Sequence, residues 1–98
     1  MLFRSNRRLT PQQRSAAVVV PRMIGHVQRC YAEGERSSER LIAEAAAVVA
    51  KEPLARFEHL DIVDSGTLQA SPSASPHSRL LAAVWFGDVR LIDNAPIA

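Results

Sequence analysis

Seven apolar residues in a row, 80–86, are followed by Gly87-Asp88 and then by Val89-Arg90-Leu91-Ile92-Asp93-Asn94. This text constrains the fold more than any other part of the chain. Glycine takes positive φ without a Cβ clash and aspartate tolerates it, so Gly87-Asp88 predicts a two-residue hairpin turn. The unbroken apolar run suits a strand covered on both faces, or one with a core on one side and a neighbouring module on the other.

The text before the hairpin changes period twice. Thr10-Pro11-Gln12-Gln13 reads as a helix start, with Thr10 as cap, Pro11 at the first helical position and Gln13 closing a capping box. Ala16, Ala17, Val20, Ile24, Val27 and Tyr31 then recur at helical spacing, and Arg14, Arg22, Gln28 and Arg29 fall mostly outside that stripe. Pro21 lacks an N–H and would clash with the carbonyl of Ala17, so a kink or break is expected near residues 18–21. Gly34 is the expected stop. Ser37 or Ser38 caps a second helix with Leu41, Ala45, Val48 and Val49 inward, and Pro53 ends it. A short connection between two helices predicts an antiparallel hairpin.

From Arg56 to Asp64 the text alternates, with Leu60 and Ile62 on one face and His59 and Asp61 on the other, which predicts a strand. Asp64-Ser65-Gly66-Thr67 is a turn by composition. Residues 70–78, rich in Ser and Pro, are expected as an exposed, mobile loop, residues 1–9 as an irregular lead-in and residues 95–98 as a tail. The expectation is one α+β domain over residues 1–98: a helical hairpin, its first helix kinked near Pro21, packed on an antiparallel sheet of about three strands.

Composition narrows the function classes. No apolar run approaches the ~20 residues of a membrane span, and the basic start is not followed by an apolar signal core. A single cysteine, Cys30, cannot form an internal disulfide, which fits a reducing, cytoplasmic setting. All ten acids lie from Glu33 onward, while Arg4, Arg7, Arg8, Arg14, Arg22 and Arg29 precede them. A basic start of this kind suits phosphate, but an arginine count alone is a weak nucleic-acid signal, and a solvated face is the simpler reading.

No self-contained active site is legible. His26, His59 and His77 are read as lacking metal-ligand spacing with one another or with Cys30, so no metal site is expected. Cys30 reads as a small apolar side chain or a partly exposed thiol. Asp61 and Asp64 lie on different sides of a strand and make no acid–base pair. Asp93 is the expected partner of Arg90 in a local salt bridge. No glycine-rich loop joins a strand to a helix to cradle phosphate. His59, on the wetter face, is a candidate ligand contact, with neighbours or water as the plainer partners.

The order Phe57-Glu58-His59-Leu60-Asp61-Ile62-Val63-Asp64, then Thr67-Leu68, residues 80–84, Gly87 and finally Arg90-Leu91-Ile92-Asp93-Asn94 resembles the C-terminal domain of pantothenate synthetase (pantoate–beta-alanine ligase). The start is similar too: Asn6, Leu9, Thr10-Pro11, Gln13-Arg14, a long helix and Gly34-Glu35 resemble the family's segment after its nucleotide-binding signature. The terminal pentapeptide is the specific part; the helical text is generic. The resemblance implies a hinged lid of an enzyme that joins ATP and pantoate into pantoyl adenylate and lets beta-alanine displace AMP. ATP with magnesium is implied by the family only, with none expected on this chain alone.

The family brings a Ser-Ser-Arg stretch onto the phosphates. Here Phe3-Arg4-Ser5 stands in that place, or Leu2-Phe3-Arg4 if one residue is inserted. Arg4 and Ser5 are therefore the expected nucleotide contacts, with most of the hydroxyls missing; a lead-in without a domain before it could equally be disordered. No catalytic residue is expected within the chain. The chain is expected to be a fragment, a split-gene subunit or the product of a misplaced start, inactive alone. Its expected partners are a separate N-terminal ligase domain or a second copy through the 80–86 strand. The alternative is a non-catalytic interaction module that keeps the lid fold.

Overall fold

The computed structural model describes residues 9–98. The lead-in expected over residues 1–9 lies outside this range apart from Leu9, which is buried. The capping box expected at Thr10 forms in full: Thr10 Oγ1 accepts from the Gln13 N–H at 3.1 Å, and Gln13 Oε1 accepts from the Thr10 N–H at 3.0 Å. It starts α1 (Pro11–Ala16), which stops almost at once, and α2 (Val19–Ala32) follows. The break is the one Pro21 demands. Ala17's carbonyl would receive the fourth residue along, but Pro21 has no N–H. The Val20 N–H takes that carbonyl instead, at 3.1 Å, in a tighter three-residue step. Pro21 then sits in the first turn of α2, where a missing donor costs little.

The C-cap of α2 is Glu33, and Gly34 follows at φ 117°. The Glu35 N–H bonds the Cys30 carbonyl and the Gly34 N–H that of Tyr31, closing the helix end. Ser37 caps α3 (Ser38–Ala50), with Glu39 in the first turn. The inward faces are Val20, Met23, Ile24, Val27 and Tyr31 on α2, against Leu41, Ala45 and Val49 on α3, all buried. Val48, expected inward, lies only partly buried against this core.

The sheet has three antiparallel strands in sequence order, β1 (Arg56–Asp64), β2 (Ser78–Phe86) and β3 (Val89–Pro96). The register pairs Leu60 with Ala82, Ile62 with Leu80, Val84 with Leu91, and Phe86 with Val89 across the turn. These residues are buried in one apolar cluster with the helices. The fold is thus a helical hairpin, broken before Pro21, on one face of a three-stranded sheet. Among the described residues no helix is long and apolar enough to cross a membrane.

Three expectations change. The 80–86 strand is the centre of the sheet, bonded on both sides, with Leu80, Ala82, Ala83, Val84 and Phe86 buried, so the apolar surface it leaves accessible is confined to the half-buried Leu81 and Trp85. The exposed large side chain on the outer sheet face is Ile92 of β3, 62 % accessible. The 70–78 loop is not simply exposed. It starts beside β1, with the Ser71 N–H on the Ile62 carbonyl. It also crosses the start of α3: Ser38 donates its N–H to Pro72 and its hydroxyl to Ser71, and Ala74 donates to Arg36. Ala74 and Ser78 are buried as a result, because this serine-rich text satisfies α3's first backbone groups. The expected tail is also structured: β3 reaches Pro96, and Ile97 is buried with its N–H on the Ser78 carbonyl.

Candidate functional site

Among the described residues, two surfaces carry polar chemistry. The first is an open groove of about 960 Å³ along the helical layer, lined by residues of α1, α2 and α3. Its apolar floor includes Ala16, Val19 and Val48. Its rim carries Arg22, Arg29 and Lys51 together with Glu44 and Glu52. Gly25 leaves open space where a side chain would stand. Within the groove, His26 Nε2 lies 2.7 Å from Glu44 Oε1, while the Arg29 guanidinium approaches His26 Nδ1 at 3.1 Å. Cys30 Sγ is 3.6 Å from the same His26 Nε2. Burial pushes the Cys30 thiol up from its ordinary value, with Glu44 adding to the effect, so it is not an activated nucleophile.

The second is the outer face of the sheet. β1 has an irregular register between Phe57 and His59, where Glu58 stands without a paired residue. From this bulge its carboxylate accepts from Arg90 Nε at 2.8 Å and Nη2 at 2.7 Å, and from the Trp85 indole N–H at 2.6 Å. His59 Nδ1 adds a contact at 3.0 Å, and Arg56 stacks over the Trp85 ring at 5.3 Å. The Arg90 hydrogen bonds, then that of Trp85, hold the Glu58 carboxyl down at about 2, and Glu58 in turn raises Arg90. Arg90 therefore pairs across the sheet with Glu58, not with Asp93 as expected. Adjacent strands present residue 90 to residue 85, and the bulge brings Glu58 to that pair. A signal existed in the text: Phe57 and Leu60 both lean inward three positions apart, which strict alternation forbids.

The Glu58 arrangement has a pH signature. The folded carboxyl lies below its ordinary value of 4.5, so its contribution to stability is complete above about pH 4.5 and fades as pH falls toward 2. Glu58→Gln should lower the urea midpoint near neutrality, and the gap from the wild type should close in acid. High salt should shrink it, since the group is exposed. A gap constant from pH 7 to pH 2 would show that the charge is not engaged.

Of the residues expected at a nucleotide, Arg4 and Ser5 lie outside the described range. The groove's donors do not single out a triphosphate with its magnesium, because cations and carboxylates alternate along an open rim. His59 touches Glu58 and Asp61, the plainer reading.

The family model for Pantoate-beta-alanine ligase matches residues 2–96. The chain belongs to the pantoate–beta-alanine ligase family. The pantothenate synthetase of Chloroflexus aggregans is 44% identical over 87 residues, covering 88% of this chain and 31% of that protein. The bifunctional pantoate ligase/cytidylate kinase of Synechococcus elongatus is 37% identical over 89 residues, covering 91% of this chain and 17% of its own length. Among solved structures, the pantothenate synthetase of Thermus thermophilus superposes with a TM-score of 0.86 at 27% identity, over 98% of this chain and 34% of that one. The chain thus spans about a third of the pantothenate synthetases it matches, and the matched part is their C-terminal part.

Proposed function

We propose that this chain acts as the C-terminal lid of a pantoate–beta-alanine ligase. In this reading it takes part in the ATP-dependent condensation of pantoate with beta-alanine through pantoyl adenylate, and does so only with the rest of the enzyme. The supporting observation is the match of nearly the whole chain to one third of a pantothenate synthetase, in fold as well as text. Adenylate formation needs electrostatic stabilisation aimed at the α-phosphate and two substrates held together. The described residues offer an open groove of mixed charge and a self-satisfied Glu58–Arg90 pair, neither of which does this. Arg4 is the proposed phosphate contact, reaching oxygen as a guanidinium fork, with Ser5 beside it.

The purified chain should make no pantothenate from ATP, pantoate and beta-alanine. Mixed with the N-terminal two-thirds of the Chloroflexus aggregans relative, it should restore turnover, and Arg4→Ala should lower that turnover ~10-fold or more. Turnover by the chain alone would overturn the requirement for a partner domain. Binding to the supplied domain without any turnover would leave the lid as an interaction module.

A further inference from the structure

His26 and Cys30 are one helical turn apart on α2, so their side chains rise from the same face. Read along the chain, Glu44 is remote from both. The helical hairpin brings it opposite, and the ligand atoms of all three lie within 4.8 Å of one another. We propose that His26, Cys30 and Glu44 form a binding site for a borderline-soft divalent cation of the zinc type, with water from the groove as the fourth ligand.

The spacing argues for this beyond mere proximity. Around a tetrahedral zinc, bond lengths near 2.0 Å to nitrogen and 2.3 Å to sulfur put a nitrogen and a sulfur ligand about 3.6 Å apart. Cys30 Sγ and His26 Nε2 are 3.6 Å apart. The same arithmetic puts nitrogen and carboxylate oxygen about 3.3 Å apart. His26 Nε2 and Glu44 Oε1 are 2.7 Å apart, a hydrogen bond that must open by about half an ångström when the metal replaces the proton. Glu44 is half-exposed and its side chain can give that distance. The donor set of imidazole, thiolate and carboxylate selects zinc over magnesium, which wants six oxygens. Thiolate formation is not an obstacle, because the metal displaces the thiol proton on binding.

One neighbour works against the site. With Arg29 donating to Nδ1, the imidazole proton sits on Nε2 and points at Glu44. A metal on Nε2 needs that proton on Nδ1 instead, so the exposed Arg29 side chain has to turn away. Its charge also repels the cation. Removing the guanidinium should therefore tighten the site, which a hydrogen-bonded surface triad without metal affinity would not do.

The test is cobalt(II) titration of the full chain, followed by zinc and magnesium competition. The wild type should take up one cobalt per chain with a thiolate-to-cobalt charge-transfer band, and zinc, but not excess magnesium, should displace it. Cys30 is the only cysteine in the chain, so Cys30→Ser must abolish the band. Cys30→Ser, His26→Ala and Glu44→Gln should each weaken zinc binding ~10-fold or more, and Arg29→Gln should tighten it about threefold. Circular dichroism checks that each variant is folded; if His26→Ala is not, Glu44→Gln carries the comparison. Absence of the band in the wild type would overturn the site, as would zinc affinity unchanged in Cys30→Ser or in a folded Glu44→Gln. These readouts do not depend on ligase turnover, so the site stands or falls apart from the lid reading.

Discussion

Phe86→Ala is expected to cost about 3–5 kcal/mol, the largest loss of any single truncation in the sheet. Phe86 is wholly buried, at the end of the central strand and next to the hairpin turn, in a cluster that joins sheet and helices. Removing the ring forfeits its transfer from water and leaves a space that paired strands on either side cannot collapse to fill. A chain of this size has about 5–15 kcal/mol of stability in all, so the variant should populate unfolded molecules at ordinary temperature. Urea denaturation at neutral pH measures it. Ile92→Ala, on the outer face and 62 % accessible, is the control and should stay within about 0.5 kcal/mol of wild type. A Phe86→Ala loss under ~1 kcal/mol would mean that the sheet does not rest on the helices as described.

Gly87→Ala should lose about 2–3 kcal/mol, from two separable causes. The residue adopts φ 67°, while Asp88 does not enter the positive region, the pattern of a turn with glycine at its first central position. Any L side chain there is strained by about 1–2 kcal/mol. In addition, an added Cβ would stand 2.8 Å from Gln13 Nε2. Gln13 can swing aside, but it then gives up its 3.3 Å bond to the Phe86 carbonyl and disturbs the capping box that starts α1. Gly34→Ala isolates the first cause, since its φ is 117° and nothing lies within 4 Å of an added Cβ. In a Gln13→Ala background the Gly87→Ala cost should fall by about 0.5–1 kcal/mol. Equal costs in the two backgrounds would show that the turn and the helix cap are uncoupled.

How far a feature acts along the chain decides whether it can be read from the text. Thr10-Pro11-Gln13, Pro21, Gly34, Ser37, Pro53 and Gly87 each act on the backbone within four residues of themselves. Their effects are local, and every boundary expected from them appears within a residue or two. The apolar periods placed nearly all the core for the same reason, since side-chain direction follows helix and strand geometry. Val19 and Met23, both buried on α2, fall outside the stripe that the spacing marks.

Features less legible in the text depend on contacts between residues far apart in the chain. Arg90 was paired with Asp93 by nearness in sequence, but its partner is Glu58, 32 residues away. The 70–78 text is exposed over much of its length, and it also supplies partners to the first turn of α3. His26 and Cys30 are one turn apart in the text, but only the helical hairpin brings Glu44 to face them.

Spacing and punctuation alone give the helix pair, the hairpin and the class of fold, while the family follows from the resemblance carried by the closing Arg90-Leu91-Ile92-Asp93-Asn94 and the text before it. Assembly in three dimensions supplied the Glu58 partner of Arg90 and the Glu44 partner of His26. The backbone obeys rules written over a few residues, whereas a carboxylate's neighbours depend on strand register, one bulge and the facing of two helices, none of which any short stretch encodes.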